Sequence, residues 1–426
     1  MVGPDVTVTG ATIDSRKVTG GELFVPVVAE RDGHDFVPDA LAAGAAAYLT
    51  QRPLTEPVAG AALATAVVVN DTVAGLGALA RHARSRLTGH VVGVTGSVGK
   101  TSVKDLLAAV LGVRWRTAAS VQSFNNELGV PLTVLNAAAE TEALVVEMGA
   151  RGVGHIKALC ELVEPTVGVV TRVAAAHTEM FGTIDEVARA KGELVEVLRT
   201  DGTAVLNADD HRVAAMAERT TARVLLFGDA GDVRAEGIAL DDDLRPRFRL
   251  VTPWGASDIL LAARGRHMVE NALAAAAAGL ACGVPVEGVA EGLGAAQVSP
   301  WRMELVRLPS GARLLNDAYN ANPTSMAAAL HAVAATPARR RIAVLGPMAE
   351  LGPTSDDDHR AVGDLARDLG IEVISVGVAS YGGHVVDDAD PATVVAALGP
   401  LSDGDIVLLK ASRIAALERI ATALTV

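Results

Sequence analysis

The hydrophobic pattern divides the chain into three blocks, which we place at residues 1–88, 89–298 and 299–426. The first block carries short strand-like runs at Val6–Val8, Leu23–Val28 and Ala66–Val69. Short apolar runs separated by Gly and Pro residues are typical of strands. The pattern therefore predicts a small α/β unit, with small helices between short strands.

The second block shows continuous apolar runs that alternate with helical segments. Strands are predicted at Val91–Val94, Ala143–Val146 and Val167–Thr171, and a helix at Thr101–Leu111 follows a glycine-rich turn. An alanine-rich helix near 269–282 closes the block. Strands that are apolar throughout are covered on both faces, so this block predicts a parallel sheet.

The third block repeats the alternation and predicts a second α/β unit. Its predicted strands are Arg313–Leu315, Ile342–Leu345, Val373–Val376 and Ile406–Leu409. Helices are predicted near 323–335, 355–369 and 412–424.

Composition narrows the class of protein. The 426 residues are 50% hydrophobic but only 3% aromatic, and the formal charge is −13. An acidic chain argues against nucleic-acid binding, although a local positive pocket can still hold a small anion. The longest apolar tract, Ala272–Val286, falls short of the roughly 20 residues that span a membrane. We therefore expect a cytoplasmic protein without a membrane span, and inert, buried, reduced thiols at Cys160 and Cys282.

A glycine-rich segment, residues 93–101, lies between the strand at Val91–Val94 and the helix at Thr101–Leu111. Backbone N–H groups of such a turn face an anion, and the helix N-terminus adds partial positive charge. Lys100 can reach the β- and γ-phosphates of a nucleotide, and the Thr101 hydroxyl can bind Mg²⁺. The segment predicts a nucleotide site.

Lys191 lies on the apolar face of a predicted helix. Ile184, Val187, Leu194 and Leu198 form one stripe with it at helical spacing. A lysine here usually extends its stem and leaves the ammonium in water. The alternative is a neutral amine with a lowered pKa, which can take up CO₂ and become a carbamate that ligates a metal.

Further polar groups follow the predicted strands. Glu147 ends one strand and His177 follows the next, so both are expected at the edge where α/β sheets bind ligands. With Lys100, Thr101 and Lys191 they would serve one or two Mg²⁺ ions. Asn125 and Asn126 suit recognition of sugar or amide groups, and a plain turn is an equal interpretation.

These motifs together resemble the Mur ligase family over nearly the whole chain. Within the family, the resemblance is strongest to the member that adds D-alanyl-D-alanine to UDP-N-acetylmuramoyl-tripeptide. The segments that carry it are 93–101, Phe124–Pro131, 146–150, 190–193, 316–325 and 345–352, and near the N-terminus 14–17 and 32–36.

The resemblance implies a three-domain α/β architecture. A small nucleotide-sugar domain (1–88) would precede a central P-loop ATPase domain with a parallel sheet (89–298). A Rossmann-like domain (299–426) would bind the incoming amine.

The resemblance also implies roles for individual residues. Catalysis would rest on Lys100, Glu147, His177 and Lys191, with Thr101, Glu147, His177 and carbamylated Lys191 around Mg²⁺. ATP would contact Thr95, Gly96, Ser97, Gly99, Lys100, Thr101, Ser102, Asn271, Arg302 and Asp317. The substrates would contact Ser15, Arg16, His34, Asn125, Asn126, Asn320, Asn322, Lys410, Ser412 and Arg413.

The implied reaction is ATP-dependent amide formation through an acyl phosphate, in a monomer, for peptidoglycan precursor synthesis. Val98, Met268, Pro347 and Ala411 depart from the family pattern. Two alternatives therefore stay open: a paralogue that joins a different acid and amine, and a nucleotide-binding protein without ligase activity.

Overall fold

The computed structural model describes residues 1–52, 64–121, 123–174, 181–349 and 351–425. Its N-terminal part is a parallel sheet in the order β1-β2-β3-β4. The strands are β1 Ala11–Thr12, β2 Leu23–Phe24, β3 Ala47–Thr50 and β4 Thr65–Val68. Two helices, α1 Val37–Ala42 and α2 Thr72–Arg84, belong to the same part.

Two strand predictions here are wrong in part. Residues Val6–Val8 have no regular structure, and Val8 is exposed, so the alternation there does not reflect a sheet. The strand predicted over Leu23–Val28 ends at Phe24. Pro26 follows closely and has no N–H to donate to a neighbouring strand, which limits the strand at this point.

The central sheet is parallel throughout, as predicted, in the order β10-β9-β8-β5-β7-β6. Its strands are β5 His90–Thr95, β6 Thr117–Ala119, β7 Ala143–Glu147, β8 Val167–Val170, β9 Thr203–Asn207 and β10 Arg223–Phe227. The glycine-rich turn leaves β5, which lies between β7 and β8. The ends of these three neighbouring strands therefore open onto one site.

Helices cover the two faces of the central sheet. Apolar side chains from α3 Lys100–Gly112, α8 Met268–Ala281 and α9 Val286–Ala295 fill the core on one face. Those from α4 Gly129–Leu135, α5 His155–Val163, α6 Ile184–Glu196 and α7 His211–Ala214 fill the other. Because half of the residues of α8 are alanine and most of the helix is buried, it packs closely against α3.

An antiparallel sheet follows the central one. It consists of β11 Arg234–Leu240, β12 Pro246–Thr252 and β13 Gly255–Leu260, and it packs beside α9. Phe248 and Leu250 point into the core, while Arg247 and Arg249, which alternate with them, are exposed.

The C-terminal sheet has the order β14-β15-β19-β16-β17-β18, and only its edge strand β14 is antiparallel to its neighbour. The strands are β14 Glu304–Arg307, β15 Arg313–Asn316, β16 Arg340–Leu345, β17 Glu372–Val376, β18 His384–Val386 and β19 Asp405–Lys410. The helices are α10 Pro323–Ala334, α11 Ser355–Asp368, α12 Pro391–Leu398 and α13 Glu418–Thr425.

The last predicted helix begins later than expected. A short 3₁₀ turn at Arg413–Ala415 precedes α13, and Ala416 between them has a left-handed backbone. This break separates the end of β19 from α13. None of the helices in the described part of the chain is long and apolar enough to cross a membrane.

Candidate active site

A cavity of about 490 Å³ lies between the central sheet and the C-terminal sheet, and we call it the interdomain cavity. One wall is the glycine-rich turn between β5 and α3. Glu147, at the end of β7, and Arg172, just after β8, line the same wall. The opposite wall comes from the C-terminal sheet and includes Asp317, Tyr319 and Lys410.

The glycine-rich turn needs glycine at two positions. Gly96 and Gly99 have φ values of 148° and 89°. A Cβ atom on Gly96 would lie 1.9 Å from Oγ1 of Thr171, and one on Gly99 would lie 2.3 Å from Oδ1 of Asn271. Since α3 begins immediately after Gly99, its free N–H groups face the interdomain cavity and can hold an anion.

The Lys100 ammonium is folded back onto this turn. Its Nζ donates to the carbonyl oxygen of Gly96 at 2.7 Å and lies 3.4 Å from that of Ser97. Burial lowers the pKa of Lys100, while the Glu147 carboxylate acts to raise it and Arg302 to lower it. Thr101 and Ser102, in the first turn of α3, are buried and line the interdomain cavity.

Thr95 stabilises the glycine-rich turn through a hydrogen bond. Its hydroxyl donates to the carbonyl oxygen of Met148 at 2.8 Å, and its side chain is fully buried. Ser97 donates through Oγ to the carbonyl oxygen of Ala174 at 3.1 Å. The two hydroxyls therefore tie the glycine-rich turn to the segments that follow β7 and β8.

Glu147 is a buried acid with one oxygen free. Its side chain is 1% exposed, and Oε1 accepts a hydrogen bond from Nδ2 of Asn125 at 2.8 Å. Oε2 is buried and has no hydrogen-bond partner among the described residues. Since an unpaired carboxylate oxygen is costly to bury, this atom is suited to a cation.

Lys191 lies on the apolar face of α6, as the stripe predicted, and its side chain is buried, with 2% exposed. Burial holds its pKa well below the usual value, and the charge of Lys100 lowers it further. This result rules out the alternative in which the ammonium reaches water. Lys191 does not line the interdomain cavity itself, but it lies close enough to Lys100 for the charge of that ammonium to lower its pKa.

The C-terminal wall is built on an ion pair. Nζ of Lys410, at the end of β19, donates to Oδ2 of Asp317 and, at 3.0 Å, to the carbonyl oxygen of Asn320. Asp317 also accepts a hydrogen bond from the backbone N–H of Met303 at 3.1 Å. Asn322 lines the same wall and caps α10 through a hydrogen bond from the Ser325 N–H at 2.9 Å.

Arg302 lies over the ring of Tyr319, with 4.4 Å between the guanidinium carbon and the ring centre. Its Nε is buried without a hydrogen-bond partner in the described part of the chain. Arg413 stacks on Trp301 in the same way and pairs with Glu418. Both arginines line the interdomain cavity, so this wall can bind an anion.

Several residues of the interdomain cavity were not found from the sequence. Arg172 pairs with Glu270 on α8, and Nδ2 of Asn207 also donates to Glu270 at 3.1 Å. Arg172 directly follows a buried strand, which is the signal that could have identified it. His267 lies beside Glu270, and burial lowers the pKa of its imidazole.

Some of the predicted site residues do not line the interdomain cavity. Oδ1 of Asn126 accepts hydrogen bonds from the N–H groups of Leu128 and Gly129, at 3.3 and 2.9 Å, where α4 begins. Ser412 is buried in the C-terminal part, where its Oγ accepts from the Ala349 N–H at 2.9 Å. His177 lies outside the described residues.

The N-terminal candidates lie in short turns between the strands of the sheet β1–β4, and they do not line the interdomain cavity. His34 is buried; its Nδ1 lies 2.6 Å from Oδ1 of Asp32, and its Nε2 accepts from the Gln51 N–H at 3.2 Å. Both ring nitrogens of His34 therefore have internal partners. Ser15 and Arg16 belong to a short 3₁₀ turn, and Arg16 is exposed.

Comparison with family models identifies all three blocks. Residues 7–84 match the model described as "Mur ligase family, catalytic domain", residues 94–279 the Mur ligase middle domain, and residues 301–419 the "Mur ligase, glutamate ligase domain". The chain belongs to the Mur ligase family. The three-domain α/β architecture expected for a Mur ligase is confirmed.

Individual Mur ligases are similar over nearly the full length. A UDP-N-acetylmuramoyl-tripeptide--D-alanyl-D-alanine ligase from Mycobacterium tuberculosis is 40% identical over 98% of this chain and 92% of its own. The Escherichia coli enzyme of the same name is 37% identical over 100% of this chain and 95% of its own.

Solved Mur ligase structures agree with the fold. MurF from Acinetobacter baumannii superposes with a TM-score of 0.88, 30% identity and coverage of 99% of this chain and 94% of that one. MurF from Thermotoga maritima in complex with ADP superposes with a TM-score of 0.84 and is 28% identical. The match covers 98% of this chain and 97% of that one. A Mycobacterium tuberculosis folylpolyglutamate synthase shares the fold, with a TM-score of 0.67 and 17% identity. The match covers 82% of this chain and 95% of that one.

Proposed function

We propose that this Mur ligase joins D-alanyl-D-alanine to UDP-N-acetylmuramoyl-tripeptide, in an ATP-dependent and ADP-forming reaction of cytoplasmic peptidoglycan precursor synthesis. The observation that carries the proposal is the pairing, in one cavity, of a phosphate-binding turn at Lys100 with a buried and half-unpaired carboxylate at Glu147. The similarity to the enzymes of that activity supports the choice of substrates.

The nucleotide would be held by both walls of the interdomain cavity. The N–H groups at the start of α3 and the ammonium of Lys100 would bind the phosphates. Asn271, Arg302 and Asp317 also line the interdomain cavity, and they would contact the rest of the nucleotide. The ADP complex of the Thermotoga maritima relative supports a nucleotide here.

The residues present fit Mg²⁺. Thr101 offers a hydroxyl, and Glu147 offers a buried oxygen without a partner among the described residues. Hard oxygen ligands of this kind suit Mg²⁺, which would supply positive charge where two anionic reactants meet. In the described part of the chain, His, Cys, Asp and Glu side chains alone form no group of three that could hold a metal. A third protein ligand would therefore come from another residue type or from outside the described residues, as His177 would.

Lys191 would provide that ligand after reaction with CO₂. The buried amine has a strongly lowered pKa and is therefore available in its neutral, nucleophilic form. Its nitrogen would attack CO₂ and release a proton, leaving a carbamate anion in place of a neutral amine. The product carries two oxygens that suit Mg²⁺, and its negative charge would be attracted by the Lys100 ammonium.

The positive charge of Lys100 would favour the first chemical step, which is formation of the acyl phosphate. The tripeptide carboxylate would attack the γ-phosphorus of ATP, the bond to ADP would break, and an acyl phosphate would form. Lys100 would neutralise the charge on the phosphate oxygens as the two anions approach. Its hydrogen bonds to the carbonyl oxygens of Gly96 and Ser97 would be exchanged for contacts to the phosphates when the nucleotide binds.

The second step would occur beside the C-terminal wall. The amine of D-alanyl-D-alanine would attack the acyl carbonyl, lose a proton, and displace inorganic phosphate. Asn320 and Asn322 lie on this wall, and Lys410 is held in place by Asp317. Arg413 lies at its rim and would close over the substrates. Water must be kept out because the acyl phosphate is hydrolysed by it.

Each of the three domains would bind a different substrate. Residues 1–88 would bind the uridine nucleotide through the segments around Ser15, Arg16 and His34, residues 89–298 would bind ATP, and residues 299–426 would bind the incoming dipeptide. Asn136 on the central domain ties the first two together, since its side chain bonds both the N–H and the carbonyl of Ala11 at 2.7 and 3.0 Å. One chain contains every group that the proposed reaction uses, so we propose that the active form is a monomer.

ADP release measured with each substrate alone and with both together tests this function. We expect ADP release over many turnovers only when UDP-N-acetylmuramoyl-tripeptide and D-alanyl-D-alanine are both present, with the joined product seen by mass spectrometry. Release with D-alanyl-D-lactate or a single amino acid but not with the dipeptide would instead indicate a paralogue. No release with any pair, despite ATP binding, would indicate a protein without ligase activity.

A further inference from the structure

We propose that Asn125 is a positioning residue for Glu147, and that it acts on the metal site rather than on the sugar or peptide. This inference deepens the proposed function and rests on the placement of Mg²⁺ in it. The amide of Asn125 donates to one oxygen of the Glu147 carboxylate and thereby directs the other oxygen to the cation.

The geometry of the carboxylate carries the argument. Glu147 ends β7, where its own N–H donates to Oγ of Ser120 at 3.1 Å. Oε1 is fixed by Nδ2 of Asn125 at 2.8 Å, while Oε2 has no partner among the described residues. Oε2 is therefore the carboxylate oxygen that is left to accept a ligand. Both residues line the interdomain cavity, in which the nucleotide phosphates would be bound.

Asn125 is itself fixed by the backbone. Its carbonyl oxygen accepts a hydrogen bond from the N–H of Gly149 at 2.7 Å. A Cβ atom at position 149 would lie 2.9 Å from Oδ1 of Asn125, so glycine is needed for this close approach. The segment after β7 thus holds the asparagine that orients the last residue of β7.

The neighbouring asparagine shows the contrast. Asn126 has the same side chain, one position further along, but its amide oxygen accepts from two backbone N–H groups where α4 begins. It does not line the interdomain cavity. The two residues therefore offer a matched pair, of which only Asn125 is expected to influence metal binding.

Mn²⁺ binding followed by electron paramagnetic resonance, with a non-hydrolysable ATP analogue present, tests the proposal. Residues that orient a metal ligand typically contribute about 10- to 100-fold in metal affinity. We expect Asn125→Ala to weaken Mn²⁺ binding about tenfold and Asn126→Ala to leave it unchanged. In the Glu147→Gln background, Asn125→Ala should add no further loss, because its effect passes through the carboxylate.

Steady-state kinetics separates this role from substrate recognition. We expect Asn125→Ala to lower kcat at saturating substrates and to raise the Mg²⁺ concentration needed for half-maximal rate. An unchanged Mn²⁺ affinity together with a raised KM for the UDP-linked substrate would overturn the proposal. If Asn125→Ala does not fold, Asn125→Leu retains the side-chain size and should show the same loss of Mn²⁺ affinity. The Mn²⁺ titration stays decisive if the wild-type chain ligates nothing, so failure of the proposed function is recognised separately.

Discussion

The hydroxyl of Tyr319 donates a hydrogen bond to Oγ of Ser123 at 2.6 Å. This contact joins the C-terminal domain to the central domain across the interdomain cavity. The ring of Tyr319 also supports Arg302, so one side chain links domain closure to a proposed nucleotide ligand. Ser123 precedes Asn125 by two positions, and the contact therefore lies next to the residue that orients Glu147.

Tyr319→Phe should slow the reaction without unfolding the chain. The substitution removes the hydroxyl and keeps the ring against Arg302. A neutral hydrogen bond contributes about 1 kcal/mol, so we expect kcat to fall about fivefold, with little change in melting temperature. Tyr381→Phe is the control, since its hydroxyl donates at 2.9 Å to Gly346 within the C-terminal domain. That variant should lose stability and retain kcat; the reverse pattern would contradict a role in closure.

Gly99→Ala should weaken ATP binding. The position has a left-handed backbone, and a Cβ would collide with Oδ1 of Asn271. A cost of about 1–2 kcal/mol in the binding-competent state corresponds to about five- to thirtyfold weaker affinity, measurable with a fluorescent ATP analogue. Gly112→Ala, at the other end of α3 and with open space around its Cβ, should bind ATP normally. Equal affinities for the two variants would rule out the steric argument.

Lys191→Ala should abolish ligation and remove a carbamate signal. Wild-type chain in ¹³C-labelled bicarbonate should give a carbamate resonance in its NMR spectrum, because the buried amine is neutral enough to take up CO₂. Bicarbonate should also raise wild-type activity at acidic pH, where CO₂ is lost. Lys157→Ala is the control, since Lys157 is exposed on α5. Near-normal turnover by Lys191→Ala would show that the proposed metal ligand is wrong.

The stability of the unmodified chain should depend on pH through Lys191. Burial lowers the pKa of this amine in the folded chain, while unfolding returns it to about 10.4. Between the two values the unfolded chain binds one more proton, so the free energy of unfolding rises with pH, by at most about 1.4 kcal/mol per unit.

Urea unfolding in CO₂-depleted buffer, from about pH 7 to about pH 9, measures this effect. Lys191→Met should be more stable than the wild type at the lower pH, and the difference should shrink as the pH rises. Lys157→Met should differ from the wild type by a constant amount. A constant difference for Lys191→Met would mean that its pKa is unaffected by folding.

The sequence alone predicts much of the parallel sheets and the place of Lys191 on the apolar face of its helix. Both follow from local periodicity, because α6 has one apolar stripe and Lys191 lies within it. The antiparallel sheet β11–β13 was missed although Phe248 and Leu250 alternate with exposed arginines. The signal was present there, in a region where only a parallel sheet was expected.

Contacts between distant segments could not be predicted. The Arg172–Glu270 and Asn125–Glu147 pairs each join segments that only the folded sheet brings together. Two adjacent asparagines also look equivalent in sequence, yet one orients a buried acid and the other caps a helix. The partners of His34 show the same limit, because its Nε2 accepts a hydrogen bond from the N–H of Gln51, which follows β3.

The transfer of oxygen from substrate to phosphate tests the central claim most directly. UDP-N-acetylmuramoyl-tripeptide labelled with ¹⁸O in the reacting carboxylate is turned over with ATP and D-alanyl-D-alanine, and the phosphate is analysed by mass spectrometry. Attack of this carboxylate on the γ-phosphorus predicts one ¹⁸O atom in each released phosphate. Unlabelled phosphate, formed together with the ligated product, would contradict an acyl phosphate at this site.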